Sequence, residues 1–275
     1  MEGIINNWLN EELPKRRQKY AKGQDIQDFV DAFVAYEQST TSNMPMSEAQ
    51  FRRSMVDMFI AGLETTSQST SWMLLYLAHY PQWQEKIYEE ISSVIPGNSM
   101  PKIGDRSKMP LLEAFCNEVH RHASFVGVFF LLYFYFGSLK IKKKILFFQY
   151  VFYHHVKDTF KYGKHEIPAG TPIMYSIEIS QFDDSIWKDA VKFRPERWLG
   201  GDQVSNSHDG FLPFGLGKRI CPGETAARAM IFLFLSSLLQ RFSWKLDKFV
   251  SLTDCEYGLN KNPPQNYKLI FSQRY

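Results

Sequence analysis

The chain has 275 residues, 44% hydrophobic and 16% aromatic, which is enough for one sizeable core or two small ones. A net charge of +3, with no basic stripe interleaved with aromatics, argues against a nucleic-acid partner. Three cysteines, Cys116, Cys221 and Cys255, with no C-x-x-C pair among them, exclude a disulfide framework and suit a reducing compartment.

The first twenty residues lack an apolar core, so they read as neither a signal peptide nor a membrane anchor. Asp25 to Gln38 places Ile26, Phe29, Val30, Phe33 and Val34 on one face, which predicts an amphipathic helix. A polar loop ends at Pro45, and Ser47 is a suitable N-cap for a long helix from Glu48 to His79, stopped by Pro81. Its middle reads AGLETTS, Ala61 to Ser67. Gly62 inside a helix costs about 1 kcal/mol against alanine. Thr65, Thr66 and Ser67 can bond back to carbonyls one turn earlier and bend the helix. A small-residue packing face would show the same composition.

Pro81 to Val94 predicts a further helix with a solvated charged face, ended by Pro96-Gly97. Lys108 to His122 predicts another, with Leu111, Leu112, Phe115 and Val119 inward and Cys116 in the core. Glu118 and Arg121 lie three apart on one face of it, a spacing any surface ion pair also gives. Gly127 to Gln149 then breaks the pattern with a phenylalanine-rich run followed by lysines. Its first apolar run stops at Lys140, nearer the ~10–14-residue class than the ~20 a membrane span needs. Tyr162 to Tyr175, with a turn at Pro168 to Pro172, predicts a hairpin, and the chain after Phe242 predicts more short strands.

The densest signal is Phe211 to Gly223, FLPFGLGKRICPG. Cys221 closes a turn built on Gly215 and Gly217, follows the basic pair Lys218-Arg219, and precedes a helix carrying Ala227, Met230, Ile231, Phe234 and Leu238. Backbone N–H groups at a helix N-terminus favour negative charge there. The glycines let backbone pass close to a flat ligand. A lone cysteine in a tight turn is usually structural; this setting argues for a ligand.

The loop resembles the haem-binding segment of the cytochromes P450, F-x-x-G-x-R-x-C-x-G, matched by Phe214, Gly217, Arg219, Cys221 and Gly223. The resemblance implies Cys221 as the axial thiolate of haem iron, with Arg219 pairing a haem propionate. AGLETTS is similar to the family's oxygen-binding segment, which implies that Glu64 and Thr65 relay protons for O–O cleavage. The order E-x-x-R, then FRPERW at Phe193 to Trp198, then the cysteine loop implies a buried network of Glu118, Arg121 and Arg197 that supports the loop. His154 matches a histidine that touches a propionate in some relatives.

The implied fold is mainly α with small β-sheets, the C-terminal part of the cytochrome P450 fold. The chain is then a single domain, 1–275, truncated at its N-terminus, with resemblance from about Asp25 onward. The family has no counterpart of Gly127 to Gln149. That segment opens with Gly-Val, whose codons contain GT, and ends Phe-Phe-Gln, readable as a pyrimidine run plus CAG. A retained or mispredicted intron is the reading, and a true insertion the alternative. The implied function is monooxygenation of a small apolar substrate (xenobiotic, fatty acid or steroid-like), using O2 and electrons from an NADPH-dependent reductase. The implied location is the cytoplasmic face of the endoplasmic reticulum membrane. The rivals are a peroxide-rearranging isomerase or dehydratase, which needs no acid–alcohol pair, and a non-catalytic fragment that binds haem weakly or not at all.

Overall fold

In the structure, a computed structural model, the described residues are 2–20, 25–39, 46–97, 99–125, 128–131, 147–150, 154–173, 176–200, 210–257 and 261–274. They fall into two units, Met1–Glu64 and Thr65–Tyr275.

In the first unit, helix α1 (Glu2–Lys19) buries Ile5, Leu9 and Leu13, a stripe at four-residue spacing, and the helix itself runs on past Pro14. Nothing in the spacing of the first twenty residues predicts this helix. Helix α2 (Phe29–Glu37) starts later than the expected Asp25 because Asp28 caps it, its side chain accepting from the Asp31 N–H at 2.9 Å. Ile26 is thereby left outside the helix and exposed. Val30, Phe33 and Val34 of α2 pack with the α1 stripe and with Phe51, Met55 and Val56. Phe33 and Phe51 stack at 4.1 Å. Arg16 pairs with Asp28 and Asp31, and Arg17 with Glu37 and Glu48, around that core.

Helix α3 (Glu48–His79) has the predicted bounds. Ser47 Oγ accepts from the Gln50 N–H at 3.3 Å and Gln50 Oε1 accepts from the Ser47 N–H at 2.7 Å, a reciprocal cap. The unit boundary falls inside α3, between Glu64 and Thr65.

In the second unit, the C-terminal part of α3 packs Trp72, Met73, Leu75, Tyr76 and Leu77 into one core. Helix α4 (Pro81–Val94) adds Trp83, Ile87 and Ile91, and helix α5 (Pro110–Ala123), after a 3-10 turn at Ile103–Lys108, adds Leu112, Phe115 and Val119. Cys116 is buried there, and burial pushes its thiol pKa up. Gln84 ties the core to the chain's end: its Nε2 donates to the carbonyls of Leu77 and Trp244, and its Oε1 accepts from the Trp244 N–H.

The strands are short. β1 (Val128–Leu131) pairs antiparallel with β2 (Phe147–Tyr150), Val128 opposite Tyr150. β3 (His154–His155), β4 (Phe160–Tyr162), β5 (His165–Ile167) and β6 (Pro172–Ile173) follow. The hairpin turn lies at Gly163-Lys164 between β4 and β5, with Gly163 at φ 58°. Pro168 to Thr171 instead returns the chain so that β6 pairs with β3, which corrects the expected hairpin turn. Helix α6 (Ile177–Gln181) leads towards a 3-10 turn at Pro195–Trp198.

Helix α7 (Glu224–Arg241) buries Arg228, Ile231, Phe232, Leu235, Ser236 and Leu239. Met230 and Phe234, two of the apolar residues whose spacing predicts the helix, are exposed. β7 (Phe242–Leu246) pairs with β10 (Leu269–Gln273), and β8 (Glu256–Tyr257) with β9 (Lys261–Asn262). Among the described residues the sheets are five separate two-stranded ladders, so the fold is mainly helical with small sheets, as expected. No helix among the described residues is long and apolar enough to cross a membrane.

Candidate functional site

The cysteine loop is anchored at its start and open at its end. Phe211 is buried against Trp198 and Trp187, at ring distances of 4.5 and 6.4 Å. A Cβ on Gly210 would stand 2.4 Å from Ile186 Cγ2, so only glycine fits where the loop enters. The Gly215 N–H donates to the Leu212 carbonyl at 3.0 Å, and Gly215 and Gly217 hold left-handed φ of 81° and 69°. A 3-10 turn, Gly217–Arg219, then reverses the chain. The Cys221 N–H donates to the Phe214 carbonyl at 2.8 Å, closing the loop.

Cys221 is a free, exposed thiol three residues before α7. Leu216 and Ile220 stand exposed beside it in the loop, 68% and 47% accessible, an apolar setting for a flat ligand. Gly223, at φ −88°, is the α7 N-cap, and a Cβ there would touch Cys221 Sγ at an ordinary 3.7 Å. Gly223 therefore owes nothing to backbone strain. Arg219 is exposed and has no ion-pair partner among the described residues.

Beneath the loop lies the ionic network. Glu118 and Arg121 have fully buried side chains joined by two bonds, Arg121 Nε to Glu118 Oε2 at 2.9 Å and Arg121 Nη2 to Glu118 Oε1 at 2.8 Å. Arg197 Nε donates to Glu118 Oε1 at 3.1 Å. Two donors escaped the sequence reading: the Trp198 indole N–H, 2.9 Å from Glu118 Oε2, and the Arg194 backbone N–H, 2.8 Å from Oε1. Arg121 also donates to the carbonyls of Gln181, Ala190 and Lys192, which clamps the segment after α6 onto α5.

Two further residues at the loop were not anticipated. His120 on α5 is buried, meets Phe214 edge-on at 5.5 Å, and shares a 2.9 Å hydrogen bond between Nε2 and Ser69 Oγ. Burial, with the Arg228 charge adding, pushes its pKa down to about 3, so it is neutral at physiological pH. The Arg228 guanidinium lies 4.8 Å over the Phe214 ring. A cavity about large enough for one water separates α5 from α7 here, lined by Cys116, His120, Arg228, Ile231 and Phe232.

Of the other expected site residues, Glu64 and Thr65 are half-buried neighbours on α3. Ala61 to Ser67 stays α-helical, and further along the same helix the hydroxyls of Thr70 and Ser71 bond back to the carbonyls of Thr66 and Ser67. A Cβ on Gly62 would meet nothing within 4 Å, so the helix surface there is open. His154 is half-buried on β3, opposite Ile173. Most of the expected foreign segment, residues 132–146, lies outside the described residues; its ends form β1 and β2.

Comparison with known proteins agrees with this geometry. The cytochrome P450 family model matches residues 1–131 and 149–271, beginning before Asp25 and passing over 132–148. Human cytochrome P450 2U1 is 30% identical over 279 residues, covering 100% of this chain and 47% of that protein. Cytochrome P450 2M1 of Oncorhynchus mykiss is 33% identical over 220 residues, covering 79% of this chain and 40% of its own length. A zebra fish cytochrome P450 solved with progesterone superposes with a TM-score of 0.81 at 25% identity, over 99% of this chain and 57% of that one. The chain thus spans less than half the length of these curated relatives. With the family model matched on both sides of residues 132–148 and the fold shared with solved members, the chain belongs to the cytochrome P450 family.

Proposed function

We propose that Cys221 ligates haem and that the chain supplies the haem-thiolate part of a monooxygenase. The observation that carries this is the Cys221 thiol: free, exposed, and fixed on a glycine turn by its own N–H to Phe214. One thiol provides one soft donor, which would suit an iron whose other ligands are supplied by its macrocycle. When bound, haem with a thiolate ligand activates O2, so that one oxygen atom enters an organic substrate and the other leaves as water. Arg219 would pair a propionate, Phe214 and Gly217 would shape the thiolate's turn, and His154 would be a second propionate contact. Glu64 delivers a proton and the Thr65 hydroxyl hands it on, a positioned acid acting through an alcohol.

The substrate class is small and apolar, and the zebra fish relatives solved with progesterone and abiraterone favour steroid-like shapes within it. The electron donor is an NADPH-dependent reductase, and the location is the cytoplasmic face of the endoplasmic reticulum membrane. The test is to reconstitute the chain with haem and record its ferrous–CO spectrum. A Soret band red-shifted as thiolate ligation requires supports the reading; an unshifted band refutes it. A chain that takes up no haem would instead establish the rival reading, a fragment without catalytic function.

Thr65→Ala, in a chimera carrying a relative's N-terminal portion, should leave haem binding intact and divert reducing equivalents from product to peroxide. The relay serves the transition state and not ground-state binding. Unchanged coupling of electrons to product would make Thr65 a packing residue.

Gly127 to Gln149 we propose to be foreign to the fold, a retained or mispredicted intron. It holds six phenylalanines and two tyrosines, which need burial, beside Lys140, Lys142, Lys143 and Lys144, which need water. Val128 faces Tyr150 in the β1–β2 ladder, so the segment leaves and re-enters the fold at neighbouring points. Deleting 127–149 should raise soluble yield and haem occupancy. Lower soluble yield and haem occupancy on deletion would make it an integral insertion.

A further inference from the structure

We propose that Arg228 and His120 are positioning residues for the cysteine loop, acting through the ring of Phe214; their bearing on haem rests on the reading that Cys221 is its ligand. From Leu216 to Pro222 every residue of the loop is exposed, so the loop's purchase on the protein comes from Phe211 at its start and Phe214 in its middle. Phe214 is gripped from two sides, by the Arg228 guanidinium 4.8 Å over its ring and by the His120 imidazole at 5.5 Å and 67°. The same residue's carbonyl accepts the Cys221 N–H at 2.8 Å. Ring, carbonyl and thiol-bearing residue are thus one mechanical link.

The grip is itself built. Arg228 Nε donates to Glu224 Oε1 at 2.9 Å, and its Nη1 donates to Asn117 Oδ1 at 3.0 Å and pairs with Glu113 Oε1 at 3.5 Å. Glu113 is in turn held by two bonds from Arg106, and His120 by Ser69. A buried arginine so well satisfied would be purely structural if nothing sat on its face. The Phe214 ring does, in the low-dielectric surroundings where a cation over a ring counts most.

Hydrogen exchange on the full 275-residue chain without haem, read by mass spectrometry over Phe214 to Gly223, tests this. Arg228→Met should speed exchange there about tenfold, while peptides from α4 and β7–β10 keep wild-type rates. Arg228→Lys, which keeps a cation at the ring, should exchange more slowly than Arg228→Met. Unchanged loop exchange in Arg228→Met, or an equal rise in α4 and β7–β10, would overturn the proposal. If Arg228→Met does not fold, Phe214→Leu, which leaves the arginine's partners in place, must show the same confined rise, and no rise overturns the proposal too. On haem-loaded protein, Arg228→Met should lower the share of the red-shifted ferrous–CO band, and an undiminished share despite a loosened loop would sever Arg228 from Cys221. A wild-type chain lacking that band altogether refutes the Cys221 reading instead, and the exchange result still decides the grip.

Discussion

Glu118→Ala is expected to lower the stability of the Thr65–Tyr275 unit by about 3–5 kcal/mol. The carboxylate receives Arg121, Arg197, the Trp198 indole and the Arg194 backbone N–H, all within 3.1 Å. Its side chain and that of Arg121 are wholly buried, and the Arg197 side chain is 7% exposed. Alanine removes the only negative charge among them and leaves two guanidinium groups facing each other without water. Domains of this size hold about 5–15 kcal/mol in total, so much of the folded population is at stake. The midpoint of thermal unfolding, followed by circular dichroism, should fall by roughly 6–20 °C. The exposed pair Lys192–Asp189 serves as a control, because Lys192→Ala should cost under about 0.5 kcal/mol. A drop of only a degree or two in Glu118→Ala would show that the network is ornamental.

Cys221→Ser is expected to abolish the thiolate signature entirely. An alcohol at this position stays protonated and is a poor ligand for iron, whereas a thiol can lose its proton and bind as a soft anion. Neither remaining cysteine is placed to take over. Cys116 is buried in the α5 core with its thiol pKa pushed up by burial, and Cys255 is half-buried against the same core. Haem-loaded Cys116→Ser and Cys255→Ser should therefore keep the red-shifted ferrous–CO band. Should the band persist in Cys221→Ser, the ligand lies elsewhere and the loop's role is wrong.

What the sequence made legible follows from which interactions are local. The bounds of α3 and α4 could be read because Ser47 and Pro81 act within one turn of the ends they define. The loop's turns were legible for the same reason: Gly215 and Gly217 are the residues that tolerate φ of 81° and 69°. Helix α7 is apolar nearly all round, so its composition gives no preferred side, and packing chose Phe232 and Leu235 over Met230 and Phe234. Helix α1 was missed because its stripe is one residue wide and Pro14 interrupts its propensity. The pairs of Glu118 with Arg121 and Arg197 were suggested by motif order. The Trp198 indole and the carbonyls of Gln181 and Ala190 are brought in only by tertiary folding. The contact of Arg228 with Phe214 belongs to that second kind, since no spacing rule joins a loop ring to a helix fourteen residues on.

The β1–β2 ladder has a consequence for chain entropy. Arg121 reaches a carbonyl 60 residues away, and closing a span of that length is the entropic cost the buried network must meet. Removing residues 127–149 shortens the span by more than a third, yet because the cost grows only with the logarithm of length the gain is about 0.4 kcal/mol. Even that is an upper bound, since the ladder already holds Val128 opposite Tyr150 and bypasses whatever lies between. An excursion tied off at its base is nearly weightless to the fold that carries it. The family's helical core can thus tolerate a long addition at this point with its melting temperature almost unmoved, and the burden of the addition falls on solubility.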